Sequence, residues 1–210
     1  MINVDNYIKF TIIAICFLVT LASYRFCFSK KDWVLLAPAM GFTLLSDYFL
    51  LIAHNYRIGV FVFCFVHIFY ILRVNGGYIG EHSREKSIIN IGSVLISGGL
   101  IYVLFTFIPL LPRIDPLIIF VVMYTALFVM NFVAHVKYYY SDEPDALPMI
   151  NRRLMLAGLL LFVLCDIHVF MFNLPNFLPV PPEIGLWGGS WIWMFYAPSQ
   201  VLLSISAVRW

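Results

Sequence analysis

Charge is what this chain has least of. Its 210 residues include 13 Lys and Arg and 11 Asp and Glu, 11% in all, where a soluble domain carries about 25%. Most of its surface therefore cannot face water, which excludes a soluble enzyme. A net charge of +2 without a basic cluster gives no footprint for nucleic acid. Cysteine is also sparse. Cys16, Cys27, Cys64 and Cys165 show no CxxC spacing, and three lie in apolar runs. They read as packing residues and not as a disulfide frame or zinc site. No repeat, low-complexity tract or second domain interrupts the sequence, so 1–210 reads as one integral membrane domain. Period-two alternation is missing as well, which excludes a closed β-barrel. What is present is apolar and aromatic, at 62% and 18%, far too rich for a disordered chain.

A spanning helix needs about 20 apolar residues. Seven segments qualify: 7–24, 33–53, 57–74, 88–108, 114–137, 152–173 and 189–208. The breaks are Ser29-Lys30-Lys31-Asp32, His54-Asn55-Tyr56-Arg57, a polar stretch around Gly76-Gly77, Pro109 to Arg113, Ser141 to Pro148, and a final loop with Pro175, Pro179, Pro181 and Pro182. The fold class is thus all-α, a polytopic membrane helix bundle of about seven transmembrane helices. Basic residues set its orientation. One face receives Lys9, Arg57 and Arg113, and the other receives the remaining ten. The N-terminus is expected outside and the C-terminus in the cytoplasm, in a multi-pass protein of the cell membrane. Asp5 beside Lys9, with the positive flank after the apolar run, argues against reading the first segment as a signal peptide.

Nine of the eleven acids fall in breaks or at span edges. Asp47 and Asp166 do not. A carboxylate at membrane depth costs at least about 2.5–3.5 kcal/mol, so such residues are rare and commonly functional. Both should lie roughly 10 Å below the outer boundary, at about 1.5 Å per residue, and can share one cavity. Folding the chain back near position 55 sets His67 opposite Leu44, one turn below Asp47, with Tyr70 on the same face. Tyr196 and Gln200 reach a similar depth in the last span, and Tyr124 and Asn131 are weaker candidates in the fifth. The bland reading of these residues is hydrogen-bonded helix–helix packing. His168 lies on a different face from Asp166, so the two do not form a metal pair. His135 reads as interfacial, and Ser46 lacks a base in helical register. No metal or cofactor is expected.

Two carboxyl groups in an apolar cavity suit acid catalysis through an oxocarbenium-like transition state. One acid donates a proton while the other, as an anion, stabilises positive charge or orients water. The same pair would equally serve a proton-coupled small-molecule or lipid transporter. A retinal pigment is excluded because 189–208 contains no lysine for a Schiff base.

Three blocks carry a family resemblance. Leu45-Ser46-Asp47-Tyr48-Phe49-Leu50-Leu51 leads through Gly59 to His67-Ile68-Phe69-Tyr70. Ala157-Gly158-Leu159-Leu160-Leu161-Phe162 leads to Cys165-Asp166, with Cys165 where serine is common. Phe195-Tyr196-Ala197-Pro198-Ser199-Gln200-Val201-Leu202 closes the chain. Together they cover about a third of the sequence, and the chain resembles the YhhN-like lysoplasmalogenase family. The resemblance implies a membrane hydrolase that cleaves the vinyl ether of lysophospholipids to a fatty aldehyde and a glycerophospho-alcohol. It also implies Asp47 and Asp166 as catalytic acids, surrounded by His67, Tyr70 and Gln200. Family members are commonly read with eight spans, so seven look like that fold without its first helix. The lysine–proline pair common near the second span is not apparent here.

Overall fold

The computed structural model describes residues 4–75, 81–107, 115–143, 146–176 and 178–210, with the backbone alone for 81–84. Gly76-Gly77, the break from Pro109 to Arg113, Asp145 and the side chains of His82 and Arg84 lie outside the described residues. Among those described, seven α-helices follow one another: α1 (Val4–Ala22), α2 (Lys30–Asp47), α3 (Tyr56–Asn75), α4 (Glu81–Phe107), α5 (Pro116–Tyr139), α6 (Met149–Asn173) and α7 (Pro182–Ile205). Each of the seven expected segments is a helix, and the whole is a polytopic membrane helix bundle.

Six helices are long and apolar enough to cross a membrane. The seventh, α7, has 24 residues, but Gly185, Gly188, Gly189, Pro198 and Gln200 dilute its hydropathy. It begins seven residues earlier than its apolar run suggests. Pro182 is its first residue, a place where proline's missing N–H costs nothing and its fixed φ suits the helix. The other ends follow ordinary capping rules. Ser29 caps α2 through the Asp32 amide. Asp115 caps α5 through the Leu117 amide at 2.9 Å, with Pro116 behind it. That amide and the Arg57 guanidinium hold the Asp115 carboxyl below the ordinary carboxylate range. Arg152 donates to the carbonyls of Tyr138, Tyr139 and Ser141 at the close of α5.

Between α2 and α3 the chain makes a π-helical turn, Tyr48–Ile52, and then a tight reversal with His54 at φ 51°. A left-handed histidine is tolerated better than most residues. Asn6 of α1 donates to the Leu51 carbonyl at 2.9 Å, tying the turn to the first helix. At the opposite end, Phe28 and Arg209 donate their amides to Ala207 and Phe26. The segment after α1 thus lies beside the C-terminus, as an odd number of crossings requires.

The largest cluster joins α1, α2, α3, α5, α6 and α7 through Ile13, Met40, Phe63, Phe128, Leu159, Phe162 and Leu203. α4 rides outside it on α3 and α5. Outward faces carry Ile15, Ile96, Phe107, Val122, Phe170 and Leu186, all well exposed, as lipid contact demands. Among the described residues the most extensive helix pairing is that of α6 and α7. A Cβ on Gly188 would meet the Phe172 amide nitrogen at 2.8 Å and the His168 carbonyl at 3.0 Å. Backbone cannot move aside as a side chain can. Gly188→Ala should therefore destabilise the protein by about 1–3 kcal/mol, the range for an overpacked core. Gly92→Ala in α4, with nothing within 4 Å, should leave stability unchanged or raise it by up to about 1 kcal/mol. Thermal unfolding in detergent reads both, and equal midpoints would refute the tight α6–α7 contact.

Candidate functional site

Each intramembrane acid is held by a tyrosine from another helix. Asp47, at the end of α2 and only 3% exposed, accepts the Tyr196 hydroxyl of α7 at 2.7 Å. Asp166, on α6, accepts the Tyr124 hydroxyl of α5 at 2.6 Å. Both bonds engage Oδ2. The Cys165 thiol lies within electrostatic reach of both carboxyls, and Tyr196 within reach of Tyr124. The two acid–tyrosine pairs accordingly belong to one interior region, where the Phe162 ring packs at 5.6 Å from Tyr196. A π-helical turn directly follows Asp47, and such turns are frequent at functional sites.

The two acids differ in access. Asp47 is enclosed, while Asp166 is partly exposed. The reason lies in how the helices pair. α6 packs chiefly on α7 and α5 chiefly on α3, so α5 and α6 meet along a narrower seam. Tyr124 and Asp166 bridge that seam, and Leu164 and Ile167 beside Asp166 are exposed.

His67 is fully buried, but it joins the region by another route than the expected one. Ser46 Oγ donates to the Gly59 carbonyl at 2.6 Å, and Asp32 binds Arg73. These two links, with the Tyr70–Met40 and Phe42–Phe69 contacts, tie α2 to α3 along their length. His67 instead packs on Tyr124 at 4.8 Å, Phe128 at 4.8 Å and Phe162 at 5.7 Å, with Asn131 Nδ2 at 3.2 Å from its Nδ1. It reaches Asp166 through Tyr124. Tyr70 bonds neither acid; its hydroxyl donates to Met40 Sδ at 3.3 Å. Gln200, one turn beyond Tyr196, is fully buried.

The family comparison now has its geometry. The YhhN family model matches residues 6–207. The chain belongs to the YhhN family. This is the lysoplasmalogenase family, and the match takes in every residue of the acid–tyrosine region. No curated protein and no solved structure matches the chain.

Other parts of this YhhN protein depart from what the spans suggest. Arg73 and Asp32, read as span-edge charges, are 0% and 1% exposed. Arg73 Nε and Nη2 each donate to an Asp32 oxygen at 2.7 Å, and Nη1 donates to Ser206 at 2.9 Å. A charge in the first turn of one hairpin helix facing one in the last turn of its neighbour was the available signal. His135 is buried and not interfacial, with Nδ1 at 3.0 Å from the Asn131 carbonyl. His168 stacks beside Trp187 and Phe195, away from Asp166. Among the described residues no three His, Cys, Asp or Glu gather as metal ligands.

Several buried polar atoms find no partner among the described residues: His67 Nε2, Asn131 Oδ1, His135 Nε2, Ser199 Oγ and both amide atoms of Gln200. Left so, each would cost about 1–3 kcal/mol, which marks the interior as a place for a polar occupant.

Proposed function

We propose that this YhhN-family protein hydrolyses the vinyl ether of 1-alkenyl lysophospholipids within the membrane, with Asp47 and Asp166 as its acid–base pair. The observation that carries the reading is the pairing itself: two membrane-embedded carboxyls, each oriented by a tyrosine hydroxyl on its Oδ2, within one interior region. A protonated carboxyl donates its proton to the β-carbon of the enol ether, leaving an oxocarbenium ion at the α-carbon. Water adds to that carbon and gives up a proton to the second carboxylate. The hemiacetal then collapses: its hydroxyl proton returns to the first carboxylate while the bond to the glycerol oxygen breaks and that oxygen takes the proton held by the second. One water is consumed, and a fatty aldehyde and a free glycerol hydroxyl result without any redox change.

Differential access supports a division of roles. Asp166, partly exposed at the α5–α6 seam, meets the lipid and donates the first proton. Asp47, enclosed with Tyr196, receives the proton from water. The basic-residue bias supports an outer N-terminus, which sets both acids in the outer half of the bilayer of the cell membrane. The alkenyl chain then stays among lipid tails while the ether reaches the seam.

Purified protein in detergent should release aldehyde from a 1-alkenyl lysophospholipid, with no cofactor added and with chelator present. Proton-driven uptake into vesicles without aldehyde release would replace this reading with the transporter.

A further inference from the structure

On the Arg73 side of the acid pair lies a second polar zone that the acid–base chemistry leaves unused. Its members are His67, Asn131, His135 and Gln200, each 2% exposed or less. Their unpartnered atoms are His67 Nε2, Asn131 Oδ1, His135 Nε2 and Gln200 Nε2 and Oε1. Asn131 touches His67 at 3.2 Å, and His135 follows one turn later, its ring 6.2 Å from that of Tyr70. Gln200 stands at the same depth. Arg73 of α3 is bonded to Ser206 just past α7, these helices run in the same direction, and His67 and Gln200 each lie six residues before those partners. Gln200 thus brings α7 to the level of the His67–Asn131 contact.

Its chemistry selects a small, neutral occupant. A phosphate or ammonium group would require an available charge of opposite sign. The Arg73 guanidinium is committed to both Asp32 oxygens and to Ser206, so it has none to offer. What the zone presents is a mixture of neutral donors and acceptors, such as two to four partners of a buried water supply. Lipid tails bring no water to this depth, yet hydrolysis consumes one molecule per turnover.

We propose that His67, Asn131, His135 and Gln200 hold a bound-water chain that feeds hydrolytic water to the acid pair. The hydrolytic role rests on the function proposed above; the hydration does not. Tyr70 and Met40 border the zone, and at 1% and 0% exposure they are inaccessible to bulk solvent.

X-ray radiolytic footprinting of the purified protein tests this, because bound waters activated in the beam oxidise the side chains they touch. Tyr70 and Met40 should be modified at rates comparable to exposed Tyr140 and Met149. Asn131→Leu with Gln200→Leu should cut the modification of Tyr70 and Met40 severalfold while sparing Tyr140 and Met149. Wild-type protein decides the question even where that variant fails to fold. Unmodified Tyr70 and Met40 beside modified Tyr140 and Met149 overturn the proposal, and retained aldehyde release in that sample leaves the hydrolase reading standing. Modified interior residues with no aldehyde release overturn the hydrolytic role.

Discussion

Asp47→Asn and Asp166→Asn should each lower aldehyde release by roughly 10²–10⁴-fold, the range for losing a positioned acid or base. An amide has the size and the acceptor oxygen of the acid, so the Tyr196 and Tyr124 bonds can persist and the bundle should keep its fold. What disappears is the exchangeable proton. Each acid handles a different proton in the same cycle, so the double variant should be little worse than either single one, as found for groups that act as a unit. Tyr124→Phe and Tyr196→Phe should act more mildly, because they remove orientation and leave the carboxyl. Turnover near wild type in either Asn variant, with circular dichroism unchanged, would sink the two-acid mechanism.

Asp32→Ala should be the most destabilising single change in the protein, by about 3–5 kcal/mol, since it leaves a buried guanidinium without its counter-charge. Arg73 is 0% exposed and makes two 2.7 Å bonds to that one carboxylate. Ser206 cannot replace a charge. Arg73→Met should cost a similar amount by stranding Asp32. The two changes should not add. Arg73→Met combined with Asp32→Leu replaces an ion pair by packed apolar groups, a swap that is commonly neutral or stabilising. Equilibrium unfolding of wild type, Asp32→Leu, Arg73→Met and their double variant in one detergent gives the coupling energy. Additive losses would mean that the ion pair contributes no coupling and that the side chains act separately. Aldehyde release in the folded double variant should persist, because neither residue touches an acid of the reaction.

The architecture was legible because membrane composition leaves few choices. Apolar runs of spanning length became helices, and breaks at Ser29, Asn55 and Ser141 fell where expected. The two acids stood out for the same reason, since a carboxylate amid apolar sequence is costly and rare. Pairings were less visible. Tyr124 and Tyr196 were among the candidates, but which acid each would hold depends on helix rotation and tilt, and spacing does not encode those. The α5 and α6 partners of His67, among them Tyr124, Asn131 and Phe162, were not visible, because they too depend on helix rotation. Arg73 and Asp32 escaped notice because a charge at a span end looks the same whether it meets water or another helix.

The pairing of residues 26–28 with the C-terminal segment has a consequence for biosynthesis. Chains emerge N-terminus first, so α7 arrives after the other described helices. Until it does, Asp47 has no tyrosine, Arg73 has no Ser206, and the Phe28 amide and Phe26 carbonyl lack the partners they find beyond α7. Asp166 finds Tyr124 as soon as α5 and α6 are both in place, whereas Asp47 waits for Tyr196 of α7. A growing chain therefore carries one acid paired and one unpaired, and the arrival of α7 completes the reactive centre.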